Sequence, residues 1–371
     1  MTGELFIGMI SGTSRDGVDA VIADFETGKP ELLNASCTPY PDALRERLDR
    51  FMAAGKPDLS DPECGDLDIK FGHFFARIAN DLIQATGLES RDIRGIGSHG
   101  QTAWHAPDDE PPMSLQLGRG NVIANVTRVP TVTNFRTADL LAGGQGAPLA
   151  PLLHRELFAS DDETRAVLNL GGIANLTLLA PGEPVRGWDT GPASCLLDLW
   201  IHRHRGRAYD DGGAWGASGT VLPGLLASML EEPYFHLPAP KSTGLELFNA
   251  DWLQKQLVQA DATSATAVDI QATLAELTAN TVTDSLRLAG GASELLVCGG
   301  GVHNVDLMRR MAALLGNTPV RSTAERGAHP DWVEANLFAW LARERLANRK
   351  VDTTGITGAN APVLLGDIAT P

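Results

Sequence analysis

Residues 8–20 read GMISGTSRDGVDA and concentrate phosphate-binding chemistry in one short span. Gly12, Thr13, Ser14, Arg15, Asp16, Gly17, Val18 and Asp19 join one apolar run (Leu5, Phe6, Ile7, Met9, Ile10) to another that continues through Ala20, Val21 and Ile22. That pattern predicts a strand, a tight turn and a second strand. Such a turn aims backbone N–H groups and hydroxyls at phosphate oxygens. Asp16 and Asp19 add carboxylates able to hold magnesium through water. An ordinary β-hairpin carries the same local signature, so this stretch alone leaves both readings open.

The device recurs. From Arg165 the chain reads RAVLNLGGIANLTLLAPG, with Gly171, Gly172 and Asn175 between two apolar runs. A third cluster, Gly299, Gly300 and Gly301, follows the strand-like run at 294–298 and precedes a helical pattern over 306–315. Three glycine turns at strand ends, spread over two halves, suggest a nucleotide clasped between two related lobes. No G-x-x-x-x-G-K-[ST] sequence occurs, which argues against a P-loop, and Gly299 to Gly301 does not open a dinucleotide fingerprint because G-x-G-x-x-G spacing is absent there.

Further polar residues gather in short segments. GSHGQTAWHAP brings His99, Gln101, Trp104 and His105 together. A Trp beside hydrogen-bonding groups suits a sugar, which has an apolar face and hydroxyls; the alternative is histidines satisfying local carbonyls. Asp189, in GWDTGP, is either a general base at a cleft or the cap of the helix that follows. Arg136 can bind a carboxylate bidentately or form a surface ion pair. Glu334, at the start of the last long helix, can accept hydrogen bonds from a substrate or complement the helix's positive end. Lys241-Ser242-Thr243-Gly244 is either an anion contact or a turn.

The surrounding pattern is α/β. Strands are expected at 31–38, 93–97, 114–117 and 130–133, with 98–107 as a loop. Helices are expected at 41–54, 67–86, 193–204, 214–230, 270–288 and 332–347. The Gly/Pro-rich stretch AGGQGAPLAP at 142–151 marks the expected boundary between an N-terminal lobe (1–141, completed by the tail 348–371) and a C-terminal lobe (142–347). The cleft is expected to close by rotation near residues 136–151, whose glycines can absorb the backbone change.

The 371 residues are 43% hydrophobic and 20% charged, which suits two folded domains rather than a disordered chain. A net charge of -16 disfavours nucleic acid and anionic membrane as partners. Cys37, Cys64, Cys195 and Cys298 show no C-x-x-C spacing and read as reduced, buried thiols. With no apolar run of membrane-spanning length and no leader, a cytoplasmic location is expected.

Taken together the motifs resemble the anhydro-N-acetylmuramic acid kinase family of the actin/hexokinase/Hsp70 superfamily. The resemblance runs almost end to end, through GMISGTSRDGVDA, GSHGQTAWHAP, NFRTADLLAGGQGAPLAP, NLGGIANLT, WDTGP, DDGGAWGASG, KSTGLELFN, LLVCGGGVHN and TGANAPVLLG. It implies two actin-like (ribonuclease-H-like) lobes with ATP in the cleft between them. Residues 12–19 would form the first phosphate loop, 171–175 the second, and 299–301 the adenosine-side turn. It implies an ATP- and magnesium-dependent kinase that opens the 1,6-anhydro ring with water and phosphorylates O6, in peptidoglycan recycling. Asp189 matches the catalytic base, Asp16 a water-mediated magnesium contact, and His99, Gln101, Arg136 and Glu334 the sugar side. A homodimer is implied as well. A non-catalytic sensor, or another phosphotransferase of the superfamily, is the alternative. Three positions depart from the family pattern: Asn134 for Asp, Ala193-Ser194 for Gly-Asn, and Leu245 for Arg.

Overall fold

The apolar runs become the strands of two sheets in a computed structural model that describes residues 3–12, 15 and 17–371. In chain order the strands are β1 (Leu5–Ser11), β2 (Gly17–Asp24), β3 (Glu31–Pro39), β4 (Ile93–Ala106), β5 (Met113–Leu117) and β6 (Thr131–Thr133). They continue as β7 (Arg165–Leu170), β8 (Ile173–Leu179), β9 (Arg186–Pro192), β10 (Glu294–Cys298), β11 (Val320–Ser322) and β12 (Asp367–Ala369). The chain divides into a first unit, Met1–Leu157 with Trp332–Pro371, and a second unit, Phe158–Asp331.

The first unit holds the sheet β12-β6-β4-β1-β2-β3, with β5 paired to β4. β1, β2 and β3 form an antiparallel meander, while β4 and β6 run parallel to β1 on its other side. The second unit repeats the plan as β11-β10-β7-β8-β9, an antiparallel β7-β8-β9 meander with parallel β10 and β11 beyond β7. This is the ribonuclease-H-like arrangement that an actin-like fold uses twice.

Every residue of β1 is buried because helices cover both faces. Leu5, Ile7 and Met9 join the core formed with Phe71, Phe74, Phe75 and Ile78 of the helix Pro62–Ala85. On the other face lies the helix Val333–Leu346. Gly8 and Gly97, partners across β1 and β4, make room for it. A Cβ on Gly8 would stand 1.9 Å from the Ala335 carbonyl oxygen, and one on Gly97 1.9 Å from that of Phe338. Only glycine allows the helix backbone to sit so close to the sheet. In the second unit the helix Ala267–Leu288 is similarly central, with both apolar clusters drawing on it.

Several expectations need correction. The glycine run at 142–151 is not a boundary but part of the first unit. The Asp139 carboxylate accepts the Gly146 N–H at 2.7 Å and the Thr357 hydroxyl at 2.7 Å. Gln145 N–H donates to Thr357 O, and Asn360 N–H to Ala142 O. These bonds stitch the run to the tail, and the chain leaves the first unit only after the helix Ala150–Phe158 is under way. The helix Val333–Leu346, expected in the C-terminal lobe, belongs to the first unit for the packing reason given above. The expected loop at 98–107 is strand, because β5 pairs with Gln101 through Ala106. The expected helix at 214–230 breaks into Ala214–Ala217 and Pro223–Leu230, Pro223 taking a first-turn position. Cys37, on the edge strand β3, is exposed rather than buried.

Candidate active site

The first hairpin is built by β1 and β2. Ser11 closes its mouth, its hydroxyl donating to the Gly17 carbonyl at 2.7 Å. Gly12 is exposed, and Arg15 lies in the left-handed region (φ 56°) with its guanidinium 2.8 Å from Asp49. The Val18 side chain is fully buried in the core, leaving only its backbone for a ligand. Thr13, Ser14 and Asp16 lie outside the described residues.

Near this hairpin the first unit assembles a charged cluster. The His99 ring rests on Phe338 of the helix Val333–Leu346, centroids 4.7 Å apart. Its Nε2 accepts from Arg136 Nε at 3.2 Å and Nη2 at 3.1 Å. A guanidinium only donates, so Nε2 is unprotonated and Nδ1–H donates to Gly100 O at 3.1 Å. Burial, then the Arg136 charge, holds this imidazole well below the ordinary histidine range. Desolvation likewise lowers Arg136 to about 10, against the influence of Glu334. Among the described residues no carboxylate forms an ion pair with Arg136. Glu334 keeps solvent access, yet its surroundings are dense enough to raise its carboxyl, with Asp19 adding to the effect and Arg136 opposing it. Two nearby carboxylates and a guanidinium without an ion pair form a site suited to an anion and a hard cation.

Gln101 stands elsewhere than expected. Its amide is buried under the first hairpin and bonded to Ser11, Tyr40, Gly12 and Thr102, so it does not face a sugar. His105 Nδ1 lies 2.9 Å from Ser114 Oγ across the β4–β5 pair.

In the second unit Asp189 sits on β9 directly opposite Asn175 of β8. Its N–H donates to Lys241 O at 3.0 Å, and its Oδ2 accepts the Thr243 N–H at 3.0 Å. The Tyr234 hydroxyl donates to its carbonyl at 2.8 Å. Burial raises the carboxyl to about 6, the Thr243 N–H pulling it down and Glu246 pushing it up. Asp189 does not cap the next helix, which begins at Ser194 with Ala193 in the cap position. The Lys241 ammonium donates to the carbonyls of Tyr234 and Phe235 and lies 4.6 Å from the Tyr234 ring centroid, so it fastens the loop over Asp189.

The second glycine turn is held by the start of that helix. Ala193 and Cys195 N–H donate to Gly172 O, and Ser194 N–H donates to Gly171 O. Backbone bonds therefore do this work at Ala193-Ser194, whatever the side chains. A Cβ at Gly171 or Gly172 would meet no protein atom closer than 3.7 Å, and one at Gly300 would meet none within 4 Å. Packing does not require glycine at these three positions, and their faces stay open to a phosphate or nucleoside. Gly299 (φ 80°) and Gly301 are glycine for another reason, because a Cβ would strike Asn169 or Leu170.

Tyr234, Phe338 and Tyr40 are supporting residues that the sequence does not mark, since each acts across a long span of chain. Among the departures, Asn134 has a left-handed backbone (φ 57°) and donates to Asp367 at 2.6 Å, where aspartate would set two carboxylates together. Leu245 is exposed.

A family model described as anhydro-N-acetylmuramic acid kinase matches residues 4–371. The anhydro-N-acetylmuramic acid kinase of Pasteurella multocida is 44% identical over 365 residues, covering 98% of this chain and 96% of that protein. The enzyme of the same name from Photobacterium profundum is 44% identical over 376 residues, covering 99% of each. Among solved structures, the activator of the 2-hydroxyisocaproyl-CoA dehydratase from Clostridium difficile with bound ADPNP aligns with a TM-score of 0.48 at 13% identity, covering 93% of this chain and 96% of that one. A ROK family glucokinase from Streptomyces griseus in complex with glucose and AMPPNP aligns at 0.40 and 15%, covering 92% and 99%.

Proposed function

The chain belongs to the anhydro-N-acetylmuramic acid kinase family and is a phosphotransferase with an alcohol acceptor; from that premise we propose the following reaction and assignment of residues. The substrates are 1,6-anhydro-N-acetylmuramate, water and ATP, and the products are N-acetylmuramate 6-phosphate and ADP. The observation that carries this reading is the Asp189 carboxylate. One oxygen is held by the Thr243 N–H, and no protein donor occupies the other among the described residues. Its pKa of about 6 leaves it ionised at neutral pH yet able to accept a proton.

Asp189 takes a proton from water as the water oxygen bonds to C1 and the C1–O6 bond breaks. The freed O6 is the acceptor of the γ-phosphoryl group, with ADP as leaving group. Magnesium would supply charge neutralisation at the phosphates. Asp16 would hold it through water, with Asp19 alongside, and the oxygen donors at Asp19 and Glu334 fit such a hard cation. Backbone donors at 12–19 and at Gly171, Gly172 and Asn175 bind phosphate oxygens, and Gly299, Gly300 and Gly301 border the adenosine. Arg136, oriented by His99, binds the sugar's carboxylate, and Glu334 accepts from a sugar hydroxyl. The same reading places the enzyme in the cytoplasm, as a homodimer that recycles cell-wall sugar. No helix among the described residues is long and apolar enough to cross a membrane.

The test is to incubate the folded protein with ATP, magnesium and the anhydrosugar, following ADP release and the 6-phosphorylated, ring-opened product by mass spectrometry. ATP consumption without ring opening points to another phosphotransferase. Sugar binding with no phosphoryl transfer points to a sensor.

A further inference from the structure

Gln101 is only 1% exposed, and its amide is committed to protein on both sides. Oε1 accepts from Ser11 Oγ at 2.7 Å and from Tyr40 OH at 3.2 Å. Nε2 donates to Thr102 O at 3.0 Å and, at the long distance of 3.5 Å, to Gly12 O. The two carbonyls fix the amide's orientation, because an oxygen turned toward them would face two acceptors.

These partners surround the mouth of the first hairpin. Ser11 and Gly12 lead into its turn, and the Ser11 hydroxyl also reaches Gly17 O, where the chain leaves it. With a single proton, that hydroxyl bridges or alternates between Gly17 and Gln101 and so spans the mouth. Tyr40 follows β3 and packs against Phe71 and Phe74 at 5.3 and 5.4 Å, which anchors the network in the core. Gln101 thus ties the turn to β4 and, through Tyr40, to the helix Pro62–Ala85.

We infer that Gln101 is a positioning residue for ATP: through Ser11 and Gly12 it sets where the donors of the first hairpin stand, without touching the sugar. The inference rests on the reading of that hairpin as a phosphate loop. Leucine at 101 keeps the bulk but removes the amide's four hydrogen bonds, and Ser11 and Gly12 are free to shift.

The experiment compares wild type with Gln101→Leu and Tyr40→Phe. It measures KM for ATP and for the anhydrosugar, calorimetric affinity for a nonhydrolysable ATP analogue, and Tm. Gln101→Leu is expected to raise KM for ATP and weaken analogue binding by about tenfold, the scale of losing one or two buried hydrogen bonds, with the sugar KM unchanged. Tyr40→Phe is expected to shift the same two quantities less. A raised sugar KM with normal analogue binding overturns the inference by placing Gln101 at the sugar. Parallel losses in both substrates that track Tm overturn it by making the residue merely structural. If Gln101→Leu does not fold, Tyr40→Phe decides, and unchanged ATP affinity in that variant overturns it. Wild type that binds no adenine nucleotide refutes the phosphate-loop reading itself; wild type that binds, with variants equal to it, refutes only the role of Gln101.

Discussion

Asp189→Asn separates chemistry from stability at one position. Asparagine keeps the shape and still accepts the Thr243 N–H, but it takes no proton from water. As a general base Asp189 is worth about 10²–10⁴ in rate, so turnover should fall by that factor while ATP affinity holds. Stability should move the other way. Burial raises the carboxyl from 3.8 to about 6, and at about 1.36 kcal/mol per pH unit that amounts to roughly 3 kcal/mol favouring the neutral form. The folded wild type therefore holds this proton more tightly than the unfolded chain. The benefit is complete below pH 3.8 and is lost as pH rises through about 6. Asparagine is neutral throughout, so relative to wild type the variant should gain stability over that window, by roughly 1–3 kcal/mol. ADP release and chemical denaturation at several pH values measure both effects. The acid limb of wild-type kcat/KM should fall near pH 6. A variant within about tenfold of wild-type turnover, an acid limb near pH 4, or no relative gain in stability between pH 4 and 8 would refute the reasoning.

Arg136→Lys loses both bonds to His99 and the planar fork, and should raise the sugar KM by about 10–100-fold with analogue binding unchanged, as steady-state kinetics and calorimetry would show. His99 should remain neutral with its proton on Nδ1 from pH 8 to 5.5 in nitrogen NMR. The unfolded chain takes up a proton below about 6.5 that this ring refuses, so its contribution to stability should shrink as pH falls through that value. Asn134→Asp should cost about 1 kcal/mol in urea denaturation, and Asp367→Asn in the same chain should restore most of it. Gly97→Ala forces the helix Val333–Leu346 off the sheet, so denaturation should show a loss of at least about 1–3 kcal/mol, with the sugar KM rising as Glu334 is displaced.

Both glycine hairpins were legible because a turn and its flanking strands are neighbours in sequence, and the same holds for β10 and the helix after it. Asp189 was legible as a carboxylate with chemistry to do, though its cap reading falls only once the helix is seen to start at Ser194. What was hidden depends on distant parts of the chain. Residues 98–106 read as loop until β5 supplies a partner for the strand that runs on through them. Gln101 sits 90 residues from Ser11 and 61 from Tyr40, so no local pattern reveals that its amide is spent within the protein. The run AGGQGAP has the composition of a linker, and only the buried Asp139 with Thr357, 218 residues away, makes it a fixed part of one unit.

The glycine pair beneath the helix Val333–Leu346 also bears on how the molecule is made. The second unit is one unbroken stretch, whereas the first waits for Trp332–Pro371 to cover Gly8 and Gly97 and to add β12 at the sheet edge. During synthesis residues 158–331 have all emerged before that cover exists, so the second unit can complete its fold while the first remains an open sheet. Strands made before the second unit are thus finished after it. Since that same late helix carries Glu334, the carboxylate and the fold of its unit are completed in one event.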